Sequence, residues 1–102
     1  MRIILCFDLS METNEEKREY DKFRKNIMKN GYTMMQFSVY VKCINSQSKY
    51  EQEVNKIKKF LPTTGNVRMF AITEKQYDNM KFLLGSKTND EIYNDQRRYV
   101  KI

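Results

Sequence analysis

Five apolar residues, Ile3 to Phe7, run unbroken into Asp8. The run is short and includes β-branched residues, so it predicts a fully buried strand over residues 2–8 rather than a helix. A loop follows at Leu9 to Glu12. Thr13 with Glu16 then matches a capping box, and Tyr20, Phe23 and Ile27 recur at helical spacing, which predicts a helix reaching Asn30. Glu15, Glu16 and Glu19 come early and Lys25 and Lys29 late, as the helix macrodipole favours, and Gly31 is a natural stop. In QFSVYVK, Phe37, Val39 and Val41 alternate with Ser38, Tyr40 and Lys42, the period of a half-buried strand. The stretch from Tyr32 to Ile44 is long for one strand, so it reads as a hairpin or as two strands broken near Met35-Gln36. Ser48 with Glu51 suggests a second capping box. Tyr50, Val54, Ile57 and Leu61 then mark one face of a second helix that Pro62 ends. After a turn at Gly65-Asn66, Val67 to Thr73 reads as a strand, and Thr73 with Gln76 as a short capped turn. Met80 to Leu84 is another apolar run. Ser86 to Asp95 is polar and loop-like. The tail QRRYVKI reads as an edge strand, which needs a neighbour that another protomer would supply.

The element order β-α-β-β-α-β is that of the split βαβ, ferredoxin-like plan, an α+β fold with one antiparallel sheet covered on one face by two helices. Residues 1–85 make that domain. Residues 86–102 form a polar linker and the terminal strand, expected to contact a partner. Phe7, Val39, Phe70 and their neighbours are too apolar for a solvated second face. Two sheets stacked in a homodimer would cover it.

Composition narrows the chemistry. A chain of 102 residues is one domain. A net charge of +6 favours an acidic partner such as nucleic acid. No apolar run reaches the ~20 residues of a membrane helix, and the apolar start is too short for a signal peptide. Cys6 and Cys43 are not spaced as a C-x-x-C pair and read as reduced packing thiols, which suits the cytoplasm. The sequence contains no histidine. A Ser-His-Asp triad, a Cys-His pair and any histidine-ligated zinc site are therefore excluded. Hydrolysis would need carboxylates with a hard metal ion, or Lys, Tyr or Ser.

Asp8 ends a buried strand, where a carboxylate costs free energy unless it has a partner. Magnesium takes hard oxygen ligands and is often held by one or two carboxylates plus substrate phosphates. One Asp8 per chain is a thin site. Two, facing each other across a dimer axis, could hold an ion and present water to a phosphodiester. The plainer alternative is a strand-end carboxylate that accepts hydrogen bonds from loop amides, with Ser10 as a turn residue.

From residue 22 to residue 59 the charged residues are nine cations and two acids. Macrodipole compensation accounts for Lys29, Lys58 and Lys59, and less well for Lys22, Arg24 and Lys42. With Lys17, Arg18, Arg97 and Arg98, these residues are candidates for contacts to a duplex DNA backbone, which needs spaced positive charge and no base-reading motif. An RNA-binding module of the same element order is disfavoured. Its signature has Lys/Arg-Gly-aromatic ahead of the aromatic strand, whereas Met35-Gln36 precedes Phe37 here. A toxin-like endoribonuclease that acts without a protein partner is a further alternative.

Three ordered segments give the chain a likeness: the strand ending in Asp8-Leu9-Ser10, FRKNIMKNGYTMMQFSVYVK at residues 23–42, and GNVRMFAITEKQYDNMKFLLG at residues 65–85. It resembles the small CRISPR-associated protein that partners the spacer-acquisition integrase, and looks most like the versions accompanying type II-A systems. The resemblance implies a ferredoxin-like protomer in a stable homodimer, with the C-terminal strand reaching to the partner's sheet. It also implies a role in capturing foreign DNA, the dimer holding a duplex between integrase dimers. It further implies a metal-dependent nuclease acting on RNA or DNA, with magnesium as cofactor and Asp8, by position, as ligand and catalytic residue.

Overall fold

The structure, a computed structural model, describes residues 1–93, so the expected terminal strand, with Arg97 and Arg98, lies outside the described residues. The elements are β1 (Arg2–Asp8), α1 (Asn14–Lys29), β2 (Thr33–Gln36), β3 (Val39–Cys43), α2 (Gln47–Lys58), β4 (Asn66–Ile72) and α3 (Glu74–Asp78). The sheet runs β2-β3-β1-β4 with every neighbouring pair antiparallel, the ferredoxin-like arrangement. β1 lies between two strands, and its side chains enter packed layers on both faces of the sheet, Ile3, Leu5 and Phe7 on one and Ile4 on the other, so its apolar run is continuous rather than alternating.

One face of the sheet carries both long helices. Ile3, Leu5 and Phe7 of β1 and Tyr40 of β3 pack there with Tyr20, Phe23 and Ile27 of α1, Tyr32, and Ile57 of α2. Phe7 meets Phe23 and Tyr20 edge-on and stacks near-parallel on Tyr40. Phe7 therefore belongs to this helix-covered layer, not to the face that a second copy was expected to cover. α1 begins with the expected capping box, Thr13 Oγ1 accepting from the Glu16 amide and Glu16 returning the bond to the Thr13 amide. α2 departs from expectation. Its N-cap is Ser46, two residues before Ser48, and its regular turns stop at Lys58, so Leu61 lies beyond it and is 46% exposed.

The 32–44 stretch is a hairpin. Its turn is Phe37-Ser38, just past the expected break, and a bulge falls between Met34 and Gln36. Ser38 sits at φ 63°, the left-handed region that a tight reversal needs. Phe37 is thereby lifted out of the alternation with Val39 and Val41 and is 67% exposed.

The second face of the sheet is partly covered by the chain's own later residues. Arg2 Nε donates to both carboxylate oxygens of Glu74 at 3.1 and 3.2 Å, and its guanidinium lies 3.9 Å from the centre of the Tyr77 ring. Tyr77 is buried against Ile4 and Val41, with Met35, Val39, Ile72 and Met80 around them. Tyr77 Oη donates to Glu91 Oε2 at 2.6 Å. Residues 89–93 are helical, so the expected loop there is corrected: Thr88 Oγ1 accepts from the Glu91 amide and Glu91 returns the bond to the Thr88 amide. Thr88-x-x-Glu91 is a capping box embedded in a run of polar residues. The half of this face nearest Asp8 stays open, with Asp8, Arg68 and Phe70 exposed. No helix among the described residues is long and apolar enough to cross a membrane.

Candidate functional site

β1 delivers Asp8 to the rim of that open half. Successive strand side chains alternate between faces, so Arg2, Ile4, Cys6 and Asp8 share the side opposite the long helices. Across the ladder, Asp8 stands opposite Asn66 and Cys6 opposite Arg68. Cys6, Phe7, Asp8, Asn66 and Arg68 line a shallow depression of about 310 Å³. Arg68 is a cation beside the carboxylate that the sequence did not single out. Its signal was available, since Val67 and Met69 alternate with it and assign it to the opposite face.

The backbone after Asp8 is tightly held. Gly65, at φ 104°, precedes β4, and a Cβ there would fall 2.5 Å from Leu9 Cδ2 and 2.8 Å from the Asp8 carbonyl oxygen. Only glycine fits both the conformation and that space. Ser10 is engaged nearby. The hydrogen bonds of its side chain and of the Thr13 amide to Glu16 hold that carboxyl below its ordinary value. Ser10 therefore serves the start of α1.

Among the described residues no three or more His, Cys, Asp or Glu come together as a metal cluster. Among the residues lining the depression there is one carboxylate, Asp8, with Asn66 opposite it in the ladder. That donor set fits magnesium only with added oxygens, from a substrate phosphate or a second copy. Cys6 and Cys43 are reduced thiols, and Cys43 is exposed rather than packed, its Sγ donating to Glu74 Oε1 at 3.4 Å. Cys43 pairs with Arg2 and Cys6 with Val39, so the two thiols lie four residues apart along the ladder, about 13 Å.

The candidate cations separate into three groups. Arg18, Lys22, Lys25 and Lys29 fall at i, i+4, i+7 and i+11 of α1, all exposed and on the side away from the buried Tyr20, Phe23 and Ile27. With Asp21 and Asn26 they border one shallow groove. Lys25 and Lys29 complete this stripe, although macrodipole compensation alone explained Lys29 in the sequence. Lys17 and Arg24 lie toward the β2–β3 side of the helix, where Arg24 approaches the Met28 sulfur and the Tyr40 hydroxyl. Lys42 is committed inside the chain. Its Nζ donates to the Asn30 carbonyl at 2.6 Å and to Glu53 Oε1 at 2.9 Å. Lys42, expected to contact DNA, is thus occupied by a buried carboxylate that helical periodicity did not place in the core.

Comparison with known proteins agrees with this architecture. A family model described as CRISPR associated protein Cas2 matches residues 1–80. A Ligilactobacillus salivarius protein named CRISPR-associated endoribonuclease Cas2 is 46% identical over 101 residues, 98% of each chain. Its Campylobacter jejuni namesake is 42% identical over 96 residues, 94% of this chain and 67% of its own. The Lacticaseibacillus rhamnosus namesake is 34% identical over the whole of both chains. The crystal structure of Streptococcus pyogenes Cas2 superposes with a TM-score of 0.62 over 83% of this chain and 100% of that one, at 16% identity, which is agreement in fold. With one sheet order, a family match across residues 1–80 and full-length relatives in accord, the chain belongs to the CRISPR-associated Cas2 family.

Proposed function

We propose that this protein acts in CRISPR adaptation as a homodimer that holds duplex DNA for an integrase along the outer face of α1. The observation that carries this reading is the stripe of Arg18, Lys22, Lys25 and Lys29. At 1.5 Å rise per residue these cations are spaced by about 4.5–6 Å. Such spacing follows a phosphate backbone without reading bases. Lys17 and Arg24 extend the positive surface, and Arg97 and Arg98 remain candidates from the sequence.

Asp8 supports a second activity, metal-dependent cleavage of a phosphodiester in DNA or single-stranded RNA. The name endoribonuclease carried by the relatives points the same way. Asp8 is exposed on the one part of the second sheet face that the described chain leaves open. If two copies meet there, the two carboxylates approach each other. Like charges so placed repel unless a proton or a cation is shared. A magnesium ion would be held by Asp8 of each copy, and when bound it would polarise a phosphate and activate water. Arg68 would steady the substrate's phosphate from the same depression.

The test is integration of a labelled DNA fragment into a CRISPR repeat by the cognate integrase. Wild-type chain is compared with Asp8→Ala and with a variant in which Arg18, Lys22, Lys25 and Lys29 are all glutamine. Loss of integration and of duplex binding in the four-site variant, with normal integration by Asp8→Ala, is the expected pattern. Normal integration by the four-site variant would sink the scaffold reading. Failed integration by a dimeric, DNA-binding Asp8→Ala protein would make the metal site part of the main function.

A further inference from the structure

The tip of the β2–β3 hairpin holds an aromatic ring that no packing argument requires to be exposed. Phe37 is 67% exposed, yet its ring is fixed. It stacks on Tyr20 with ring centres 5.8 Å apart and planes 19° from parallel. Tyr20 itself is buried in the core against Phe7. The adjoining backbone is fixed as well. Ser38 adopts φ 63°, a conformation that is unfavourable for a residue bearing a Cβ. It is held there from two sides. The Ser38 carbonyl accepts from the Phe7 amide at 3.1 Å, and its hydroxyl shares a 3.1 Å hydrogen bond with Tyr20 Oη. A flat aromatic face is thus presented to solvent on a rigid, strained mount, one residue from the Asp8 end of β1.

Its surroundings select the kind of ligand. Lys17 and Arg24 stand three residues before and four residues after Tyr20, the positions that neighbour it on the helix surface. Two cations therefore flank the residue on which Phe37 stacks. Glu16, four residues before Tyr20, is the acid at a neighbouring position, and its carboxylate is taken up by the Thr13 amide and the Ser10 side chain. An apolar protein contact needs no flanking charge, and a duplex offers a base face only at its ends. Aromatic rings interleaved with cations are the physical requirement for holding unpaired bases on a charged strand.

We propose that Phe37 is a stacking platform for an unpaired nucleobase, so that the protein grips a single-stranded stretch of nucleic acid at the Asp8 end of its sheet. This rests on the nucleic-acid reading above and adds to it a separate contact that the α1 stripe does not make. A duplex tracked along α1 would reach this platform only where its strands part.

The sequence has no tryptophan, so Phe37→Trp creates a single fluorescent reporter at the platform. The full chain carrying Phe37→Trp is titrated with a single-stranded oligodeoxynucleotide and with the same length of blunt duplex. Quenching by the single strand, absent with an oligonucleotide lacking bases, is the expected result. In parallel, Phe37→Ala and Phe37→Leu should each weaken single-strand binding by roughly 5- to 150-fold while leaving duplex affinity unchanged. Leucine retaining wild-type affinity would overturn the proposal, because an apolar contact would then suffice. Unaltered single-strand binding in Phe37→Ala, with association to the integrase lost, would reassign the ring to a protein partner. Loss of duplex binding is read from the α1 variant and bears on the scaffold alone. An unquenched tryptophan beside intact duplex binding overturns the platform without touching the scaffold.

Discussion

Glu53 is 3% exposed and meets three partners: Lys42 at 2.9 Å, Lys56 at 3.1 Å and the Tyr32 hydroxyl at 3.1 Å. Burial by itself raises a carboxyl's pKa. Here the hydrogen bonds from Lys42, Lys56 and Tyr32 outweigh it and hold the group below its ordinary value of 4.5. Burial, and then the Glu53 charge, push the Tyr32 phenol in the opposite direction, upward. A carboxyl whose folded pKa is lowered stabilises the fold above its unfolded pKa, and that contribution fades as pH falls through the folded value. Glu53→Gln should therefore cost about 1–3 kcal/mol near neutral pH, and the gap to wild type should narrow below about pH 4. Urea denaturation across pH measures this. A gap that stays constant into acid would show that the carboxylate's charge does not matter. The residue scale also shows why Lys42 misleads in sequence. A lysine on an alternating strand reads as surface, and only the buried acid on α2, eleven residues away, shows where its charge is directed.

α1 separates its two tasks by angle around one helix. Tyr20, Phe23 and Ile27 anchor it to the sheet, and Arg18, Lys22, Lys25 and Lys29 face away from it. Because these cations touch nothing in the core, replacing all four by glutamine should change stability by less than about 1 kcal/mol. Affinity for duplex DNA should instead fall, and the slope of log affinity against log salt should flatten by about 0.9 for each phosphate contact removed. Lys42→Met should leave that slope as it is. Binding isotherms over a salt series decide both points, and an undiminished slope in the four-site variant would move the DNA contact off this helix. The hairpin shows the opposite behaviour for legibility. Its alternation was visible, but the turn fell on Phe37-Ser38 because Ser38 accepts a left-handed conformation that serine seldom adopts. One displaced turn converted Phe37 from an expected strand residue into an exposed ring.

For the whole molecule, the decisive feature is the second sheet face. α3 and the helical residues 89–93 cover its half around Ile4 and Val41, fastened by Arg2–Glu74 and Tyr77–Glu91. The other half, with Asp8, Arg68 and Phe70, is open within the described chain. Phe70 is 47% exposed and stands opposite Ile4 in the ladder. If two copies join through this region, Phe70→Glu buries an unpaired charge and separates them. The expected outcome is a shift from dimer to monomer mass in solution, together with loss of any magnesium-dependent cleavage. A dimer that persists in Phe70→Glu, with cleavage intact, would place the interface elsewhere.

The local sequence determines the strands and helices of the ferredoxin-like order through its apolar pattern, the caps at Thr13 and Thr73 through their polar side chains, and the place of Asp8 at the end of β1. Those features are local: period, capping chemistry and a run of apolar residues act over a few positions in the chain. What brings distant residues together was decided only by tertiary structure. The pairing of β1 with β4 set Arg68 beside Asp8, and the packing of α2 on the sheet gave Lys42 a buried acid. The folding of residues 74–93 over the sheet covered half of a face that had been assigned entirely to a second copy. Each of these depends on contacts between residues far apart in sequence, and side-chain alternation specifies which face a residue takes but not what will stand opposite it.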